Sequence, residues 1–120
     1  MPDMQENLFR AAQEKHRAGA LAEAARLYES VLLSEPGHAG ALDALGLISL
    51  QSGRFDAAEA FFRKLTQSRP GAASGHYNLG CALQQQQRNE DALACFERAL
   101  TADPSHVGSL VNRAVLFLAL

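Results

Sequence analysis

Residues 42–70 read LDALGLISLQSGRFDAAEAFFRKLTQSRP, and this stretch decides the fold. Its first part places apolar or small residues three and four positions apart, which is the spacing of one helical face. Its second part repeats that spacing after Gly53, a residue type that favours the left-handed turn at a helix end. Pro70 cannot continue a second helix. The stretch therefore predicts two short helices joined by a tight turn.

The same pattern returns every 34 residues on both sides of this stretch. Four columns share the period, and they are Gly19 and Gly53, then Ala24, Ala58 and Ala92, then Tyr28, Phe62 and Phe96, and finally Pro36, Pro70 and Pro104. Two helices approach closely only where neither carries a bulky side chain, so the alanines indicate helix crossings. A period of this length is typical of a helical repeat protein.

A run of glutamines at residues 84–87 departs from the columns. It falls at the end of the third unit's first helix and in the turn that follows. Gln87 stands where the first two units have glycine, and Asn89 lies two residues further on. Asparagine tolerates a left-handed conformation and also caps helices, so we expect Asn89 to replace the glycine or to begin the next helix. We expect this turn to be the loosest of the three.

Together the columns resemble the tetratricopeptide repeat, whose pattern W-x2-L-G-x2-Y, A-x3-F and P has the same period. The second unit matches best, with Leu42-x2-Leu45-Gly46 followed by Ala58-x3-Phe62. The resemblance implies an all-α, right-handed α-solenoid that forms a single domain over residues 1–120. Its repeats are expected at residues 5–38, 39–72 and 73–106, with a partial fourth repeat of one helix at residues 107–120.

The composition argues against several classes of function. The chain is 48% hydrophobic and carries a net charge of -2, so it is too apolar for a disordered polymer and has no positive field for nucleic acid or an anionic membrane. The N-terminus lacks the basic region of a signal peptide, and the longest apolar run, residues 114–120, is too short to cross a bilayer. We therefore expect a cytoplasmic protein without nucleic-acid or membrane partners.

Signatures of catalysis are missing from the sequence. Phosphate-binding, nucleophile-elbow, zinc-protease and dinucleotide motifs do not occur, so we predict a protein that is not an enzyme, with no catalytic residues and no cofactor. His38 and His106 lie two periods apart, and no carboxylate or cysteine recurs beside them at ligand spacing. We therefore predict a shared role at the repeat junction and no metal site. Cys81 and Cys95 are predicted to be reduced, partly buried thiols.

In the family that the chain resembles, the first helices of the repeats line a concave groove that binds a peptide or a partner protein. The resemblance assigns outward residues from all four units to this groove: Phe9, Gln13, Arg17, Asp43, Leu47, Gln51, Tyr77, Asn78, Cys81, Gln85, Val111 and Asn112. The set mixes apolar and neutral polar groups, which suits hydrophobic anchors and amide hydrogen bonds. Phe9 and Leu47 are equally compatible with packing under neighbouring helices.

Two ligand classes of the family can be compared with these positions. The lysine, asparagine and arginine residues that hold acidic C-terminal tails are replaced here at every position except that of Asn78, so such tails are not expected to bind. The asparagine ladder of O-linked N-acetylglucosamine transferases is matched at Asn78 and Asn112 but not at Arg10 or Ala44. Two hypotheses stay open: a binding scaffold, and the N-terminal targeting part of a larger transferase.

The two ends of the chain differ. Asp3 and Glu6 have the spacing of a capping box, which predicts a helix start before Leu8. The fourth unit has only one helix, and a repeat helix needs a neighbour that covers its apolar face. We predict either a longer protein or a homodimer in which the C-terminal helix pairs with a second copy. The residues assigned to self-association are Leu116, Phe117 and Leu120.

Overall fold

The computed structural model describes residues 3–119, which form seven α-helices and contain no strand. The helices are α1 (Met4–Arg17), α2 (Leu21–Ser34), α3 (Ala39–Gln51), α4 (Phe55–Ser68), α5 (Ala73–Gln85), α6 (Asn89–Ala102) and α7 (Val107–Ala119). Each helix packs against the next, and α3 also contacts α5, so first helices of neighbouring repeats lie side by side. The chain measures 49 × 26 × 21 Å. The predicted all-α repeat solenoid is confirmed.

Within a repeat, an aromatic ring of the second helix lies against a small residue of the first. A Cβ atom added to Gly46 would lie 2.3 Å from the ring of Phe62, and one added to Gly80 would lie 2.6 Å from the ring of Phe96. Both rings are fully buried. The glycines are therefore required because the rings occupy the space that a side chain would fill. The alanine column at positions 24, 58 and 92 is also fully buried.

The turns inside the repeats each need one left-handed residue. Gly19 and Gly53 supply it in the first two repeats, with φ angles of 81° and 75°. In the third repeat Gln87 takes this conformation itself, with a φ of 60°, and Asn89 is the first residue of α6. Asn89 therefore begins the next helix, as one of the two alternatives predicted, and it does not replace the glycine.

Side chains tie this third turn to the preceding repeat. Gln86 Nε2 donates to Glu59 Oε1 at 3.1 Å, and Arg88 Nη1 donates to the same oxygen at 2.8 Å. Burial raises the pKa of Glu59, but hydrogen bonds from Gln86 and Arg63 and the charges of Arg88 and Arg63 outweigh it and lower the pKa. The ionised carboxylate of Glu59 on α4 thus holds, through two hydrogen bonds, the turn that was expected to be the loosest.

Three helix starts carry side-chain caps, and the sequence predicted the first of them. The Asp3 carboxylate accepts the backbone N–H of Glu6 at 2.7 Å and caps α1. His38 Nδ1 accepts the backbone N–H of Ala41 at 3.0 Å, and His106 Nδ1 accepts that of Ser109 at 3.2 Å. The two histidines therefore satisfy otherwise unpaired donors at the starts of α3 and α7. Their predicted shared role at the repeat junctions is confirmed.

The C-terminal helix corrects one prediction. Leu116 is only 1% exposed and belongs to the same core cluster as Phe96, so its assignment to a contact with a second copy is wrong. It lies one period after Ala82, which is also buried, and this column packs back onto the preceding repeat. Phe117, by contrast, is 58% exposed. Leu120 lies outside the described residues.

Replacing Gln87 with glycine is expected to stabilise the protein by about 0.5–1 kcal/mol, because glycine adopts the left-handed conformation without a Cβ penalty. The measurement is the free energy of unfolding in urea, followed by circular dichroism. The control is Gln85→Gly at the last residue of α5. This change is expected to destabilise the protein, because the backbone at that position has the right-handed helical conformation. A Gln87→Gly protein less stable than the wild type would contradict the prediction.

Candidate functional site

Polar side chains link the first helices of successive repeats along one surface, which we call the groove. It is lined by outward residues of α1, α3, α5 and α7. Asn78 Nδ2 donates to Asp43 Oδ1 at 2.9 Å and joins α5 to α3. Asn112 Nδ2 donates to Gln84 Oε1 at 3.4 Å and to the Cys81 sulfur at 3.7 Å, which joins α7 to α5. The two asparagines thus occupy equivalent places one repeat apart.

The groove residues predicted from the sequence fall into two sets. The exposed set is Arg17, Gln51, Gln85 and Val111, and the half-buried set is Phe9, Gln13, Asp43, Leu47, Tyr77, Asn78, Cys81 and Asn112. Leu47 packs partly against the core cluster of the second and third repeats. The structure therefore gives Leu47 a packing role, and it leaves the amides and Asp43 as the main polar groups of the groove.

Phe9 and Tyr77 pack inside two of the repeat junctions. The Phe9 ring lies 4.6 Å from the ring of His38, and the Tyr77 ring lies 5.0 Å from that of His106, measured between centroids. Each ring also covers a glycine: a Cβ added to Gly40 would lie 2.5 Å from Phe9, and one added to Gly108 would lie 2.8 Å from Tyr77. Both aromatic residues are half-buried and therefore help to fix the packing of a junction.

The middle junction has a cavity and no ring pair of this kind. We call it the junction cavity; its volume is about 250 Å³, and it is lined by Ala39, Gly40, Asp43, Leu65, Arg69, Ala72 and Ser74. Asp43 occupies the position of Phe9 and Tyr77, one period from each. Sequence reasoning missed the wall residues Leu65, Ala72 and Ser74. The signal for them was present, because Ala72 interrupts the column of His38 and His106.

Asp43 forms no ion pair among the described residues, although Arg69 lines the same cavity. Burial raises the pKa of the Asp43 carboxyl, and the hydrogen bond from Asn78 opposes that rise only in part. Among residues 3–119, the ion pairs involve other carboxylates, and no basic side chain lies within 4.0 Å of Asp43. A half-buried carboxylate without a cation costs stability.

The two thiols are poor nucleophiles. Burial raises the pKa of Cys81, and the hydrogen bond with Tyr77 lowers it by less. Burial likewise raises the pKa of Cys95 above its usual value. Both thiols are therefore protonated at neutral pH, which disfavours attack on a substrate. In the described part of the chain, no group of three or more metal-binding side chains occurs.

Two family profiles described as "Tetratricopeptide repeat" match the sequence, one over residues 15–77 and one over residues 73–106. The chain belongs to the tetratricopeptide repeat family. Two relatives share part of their length with it. Protein FlbA of Caulobacter vibrioides is 30% identical over 90 residues, covering 75% of this chain and 15% of that protein. Human tetratricopeptide repeat protein 7B is 34% identical over 98 residues, covering 82% of this chain and 12% of that protein.

Solved tetratricopeptide structures superpose along nearly the whole chain. A mutant of the Thermobaculum terrenum O-GlcNAc transferase is 27% identical with a TM-score of 0.83, covering 98% of this chain and 23% of that one. The first TPR of Spaghetti (RPAP3), bound to the HSP90 peptide SRMEEVD, is 16% identical with a TM-score of 0.90, covering 96% of this chain and 91% of that one. The second likeness shows the fold alone. Between residues 3 and 119, no helix is long and apolar enough to cross a membrane.

Replacing Asp43 with asparagine is expected to stabilise the protein at neutral pH by less than about 1 kcal/mol, since solvent screens a half-buried charge. The raised pKa means that the folded chain binds this proton more tightly than the unfolded chain does. The stability from the proton is therefore present below about pH 3.8, the ordinary value, and is lost as the pH rises through the folded-state pKa. Urea unfolding at a series of pH values measures the difference.

The matched control for this experiment is Glu29→Gln, because Glu29 is an exposed carboxylate on α2. The difference in unfolding free energy between the Glu29→Gln protein and the wild type is expected to stay small across the same pH range. If Asp43→Asn were the less stable protein at pH 7, the carboxylate would be stabilising and our account of its environment would be wrong.

Proposed function

We propose that this chain is a protein-interaction scaffold whose groove binds an extended segment of a partner protein. The tetratricopeptide fold in general supports an interaction module. The observation that supports the peptide ligand is the pair of half-buried amides, Asn78 and Asn112, one repeat apart along the groove. Exposed amides of Gln51 and Gln85 extend the same surface.

The groove asparagines have bonding capacity left for a ligand. In the hydrogen bonds found among residues 3–119, the side-chain carbonyl oxygens of Asn78 and Asn112 accept from no protein group. The amide nitrogen of Asn78 also carries a second hydrogen, whereas the amide nitrogen of Asn112 already donates to two acceptors. An extended peptide presents backbone N–H and C=O groups along its length, so paired donors and acceptors of this kind can hold it without reading its sequence.

The Asp43 carboxylate disfavours acidic ligands in its part of the groove. Asp43 lies beside Asn78 without a basic partner, and a ligand carboxylate placed there would meet repulsion in a partly desolvated site. The structurally similar repeat that is bound to SRMEEVD holds a peptide with several carboxylates. We therefore propose that this groove takes a neutral or basic segment.

A role as the targeting region of a larger transferase is the alternative. It is supported by the likeness to the O-GlcNAc transferase and by the two matched asparagines. The chain spans only 15% and 12% of the two curated relatives, so it corresponds to a part of each. A scaffold and a targeting region would use the same groove, and the same binding experiment applies to both.

Selection of linear random peptides displayed on phage against the immobilised chain is expected to yield peptides that require the groove. Asn78→Ala should weaken their binding roughly three- to tenfold, because one or two hydrogen bonds are lost. The control is Gln67→Ala, which removes an exposed amide from α4 and should leave binding unchanged. Fluorescence anisotropy with the selected peptides measures both. Equal binding by the two variants would contradict the groove as the site.

Self-association is a second proposed role, and the open face of α7 supports it. Leu110 is 38% exposed and Phe117 is 58% exposed, whereas Leu42 and Leu83, which lie in the same columns, are buried under second helices. Apart from Arg113, the open face is apolar, and a two-fold axis can place such a face against itself. Phe117 and Leu110 replace Leu116 in this proposal.

Light scattering over a concentration series is expected to show a dimer at high micromolar concentration. Phe117→Asp should give a monomer, because a charge would be buried in the apolar contact. Leu33→Asp is the control, since Leu33 is an apolar residue on α2 that is 87% exposed. A wild-type chain that stays monomeric, or a dimer that survives Phe117→Asp, would exclude this role for α7.

A further inference from the structure

The repeat junctions are built from three columns of residues. The outer two junctions each combine an aromatic ring, a histidine and a glycine, namely Phe9, His38 and Gly40 in one and Tyr77, His106 and Gly108 in the other. The middle junction changes all three at once, to Asp43, Ala72 and Ser74. One loss could be a neutral variation. Three losses at one place remove two rings together, and all three replacement residues line the junction cavity.

The first junction shows what the rings do. It also has a cleft, of about 460 Å³, but both Phe9 and His38 belong to its wall. Gly40 and Val31, which correspond to Ser74 and Leu65 of the middle junction, do not line that cleft. In the middle junction Leu65 and Ser74 do line the cavity. The two junctions therefore differ in which side chains form the walls, and only the middle one exposes its Leu65 and Ser74 positions to the cavity.

The junction cavity combines apolar walls with one negatively charged side chain. Ala39, Leu65 and Ala72 provide apolar walls, and Asp43 provides a carboxylate. One oxygen of that carboxylate accepts from Asn78, and no basic side chain of the described residues pairs with the group. A complementary occupant has an apolar stem and a positive end.

We propose that the junction cavity binds the side chain of an arginine in the peptide that the groove holds. This inference rests on the proposed peptide-binding function and adds the class of residue that the groove recognises. The aliphatic part of the arginine lies between the apolar walls, and its guanidinium donates to the free oxygen of Asp43.

Shape favours arginine over lysine. The guanidinium is planar, like the rings that occupy the two outer junctions, and it is more weakly hydrated than an ammonium group. A flat group can therefore enter the space between α3 and the start of α5 with less loss of hydration. Arg69 lines the same cavity with an exposed side chain, so its charge should weaken the binding of a second cation.

The direct test uses N-acetyl-L-arginine N-methylamide as the probe and ¹⁵N-labelled full chain as the target. Saturable shifts of backbone amides at residues 39–43 and 72–74 are expected at millimolar probe concentrations. Asp43→Asn should weaken binding at least roughly fivefold, and Arg69→Gln should strengthen it. Urea unfolding of both variants establishes that they are folded.

Two further probes decide between a cation and other occupants. N-acetyl-L-citrulline N-methylamide has nearly the same shape without the charge and is expected to cause no saturable shifts. The proposal is overturned if citrulline and arginine probes bind equally, if arginine binding survives Asp43→Asn, or if N-acetyl-L-phenylalanine N-methylamide binds more tightly at the same residues. The last result would mean that the cavity accepts a missing ring.

Peptide selection separates this inference from the proposed function. Peptides selected on the wild-type chain are expected to carry arginine at one fixed position, and that preference should vanish on Asp43→Asn while groove-dependent peptides are still obtained. Groove-dependent peptides without a basic preference would overturn the inference and leave the scaffold intact. Failure to obtain any groove-dependent peptide would contradict the scaffold, and the probe titration would still decide what the cavity binds.

Discussion

The packing of an aromatic ring against a glycine sets the geometry on which the rest of this solenoid depends. Phe62 and Phe96 occupy the space that a side chain on Gly46 or Gly80 would need, so each fixes the separation and the register of two helices. Because that contact is fully buried, its geometry leaves little freedom for the helix pair. The next repeat then packs on faces whose positions are already defined.

The junctions between repeats differ from one another, although the helix pairs that they join are alike. Ring pairs and histidine caps hold the outer junctions, while Asp43 lines a cavity in the middle one. A half-buried carboxylate without a cation lowers stability, and proteins commonly hold such groups where a ligand completes the site. The proposed arginine of the ligand would therefore supply a positive charge that pairs with the Asp43 carboxylate.

The C-terminal helix α7 packs onto the preceding repeat in the same way as the other first helices, but one of its faces is uncovered. Leu116 and Ser109 pack toward the preceding repeat and are buried, but the face that a second helix covers in the other repeats carries Leu110 and Phe117 in contact with solvent. The sequence indicates that a helix here has an uncovered side. It does not say which side, and our assignment of Leu116 to that side was wrong because both faces of the helix are apolar.

The sequence alone determined the all-α repeat, the small residues at helix crossings, the turns and the shared role of His38 and His106. These follow from spacing of three, four and 34 residues and from the conformational limits of glycine and proline, which act over short stretches of chain. Only the tertiary structure decided that Gln87 takes the left-handed turn, that Phe9 and Tyr77 lock junctions, and that Asp43 borders a cavity. Those facts depend on which residues of three neighbouring helices meet, and periodicity within a single helix does not contain that information.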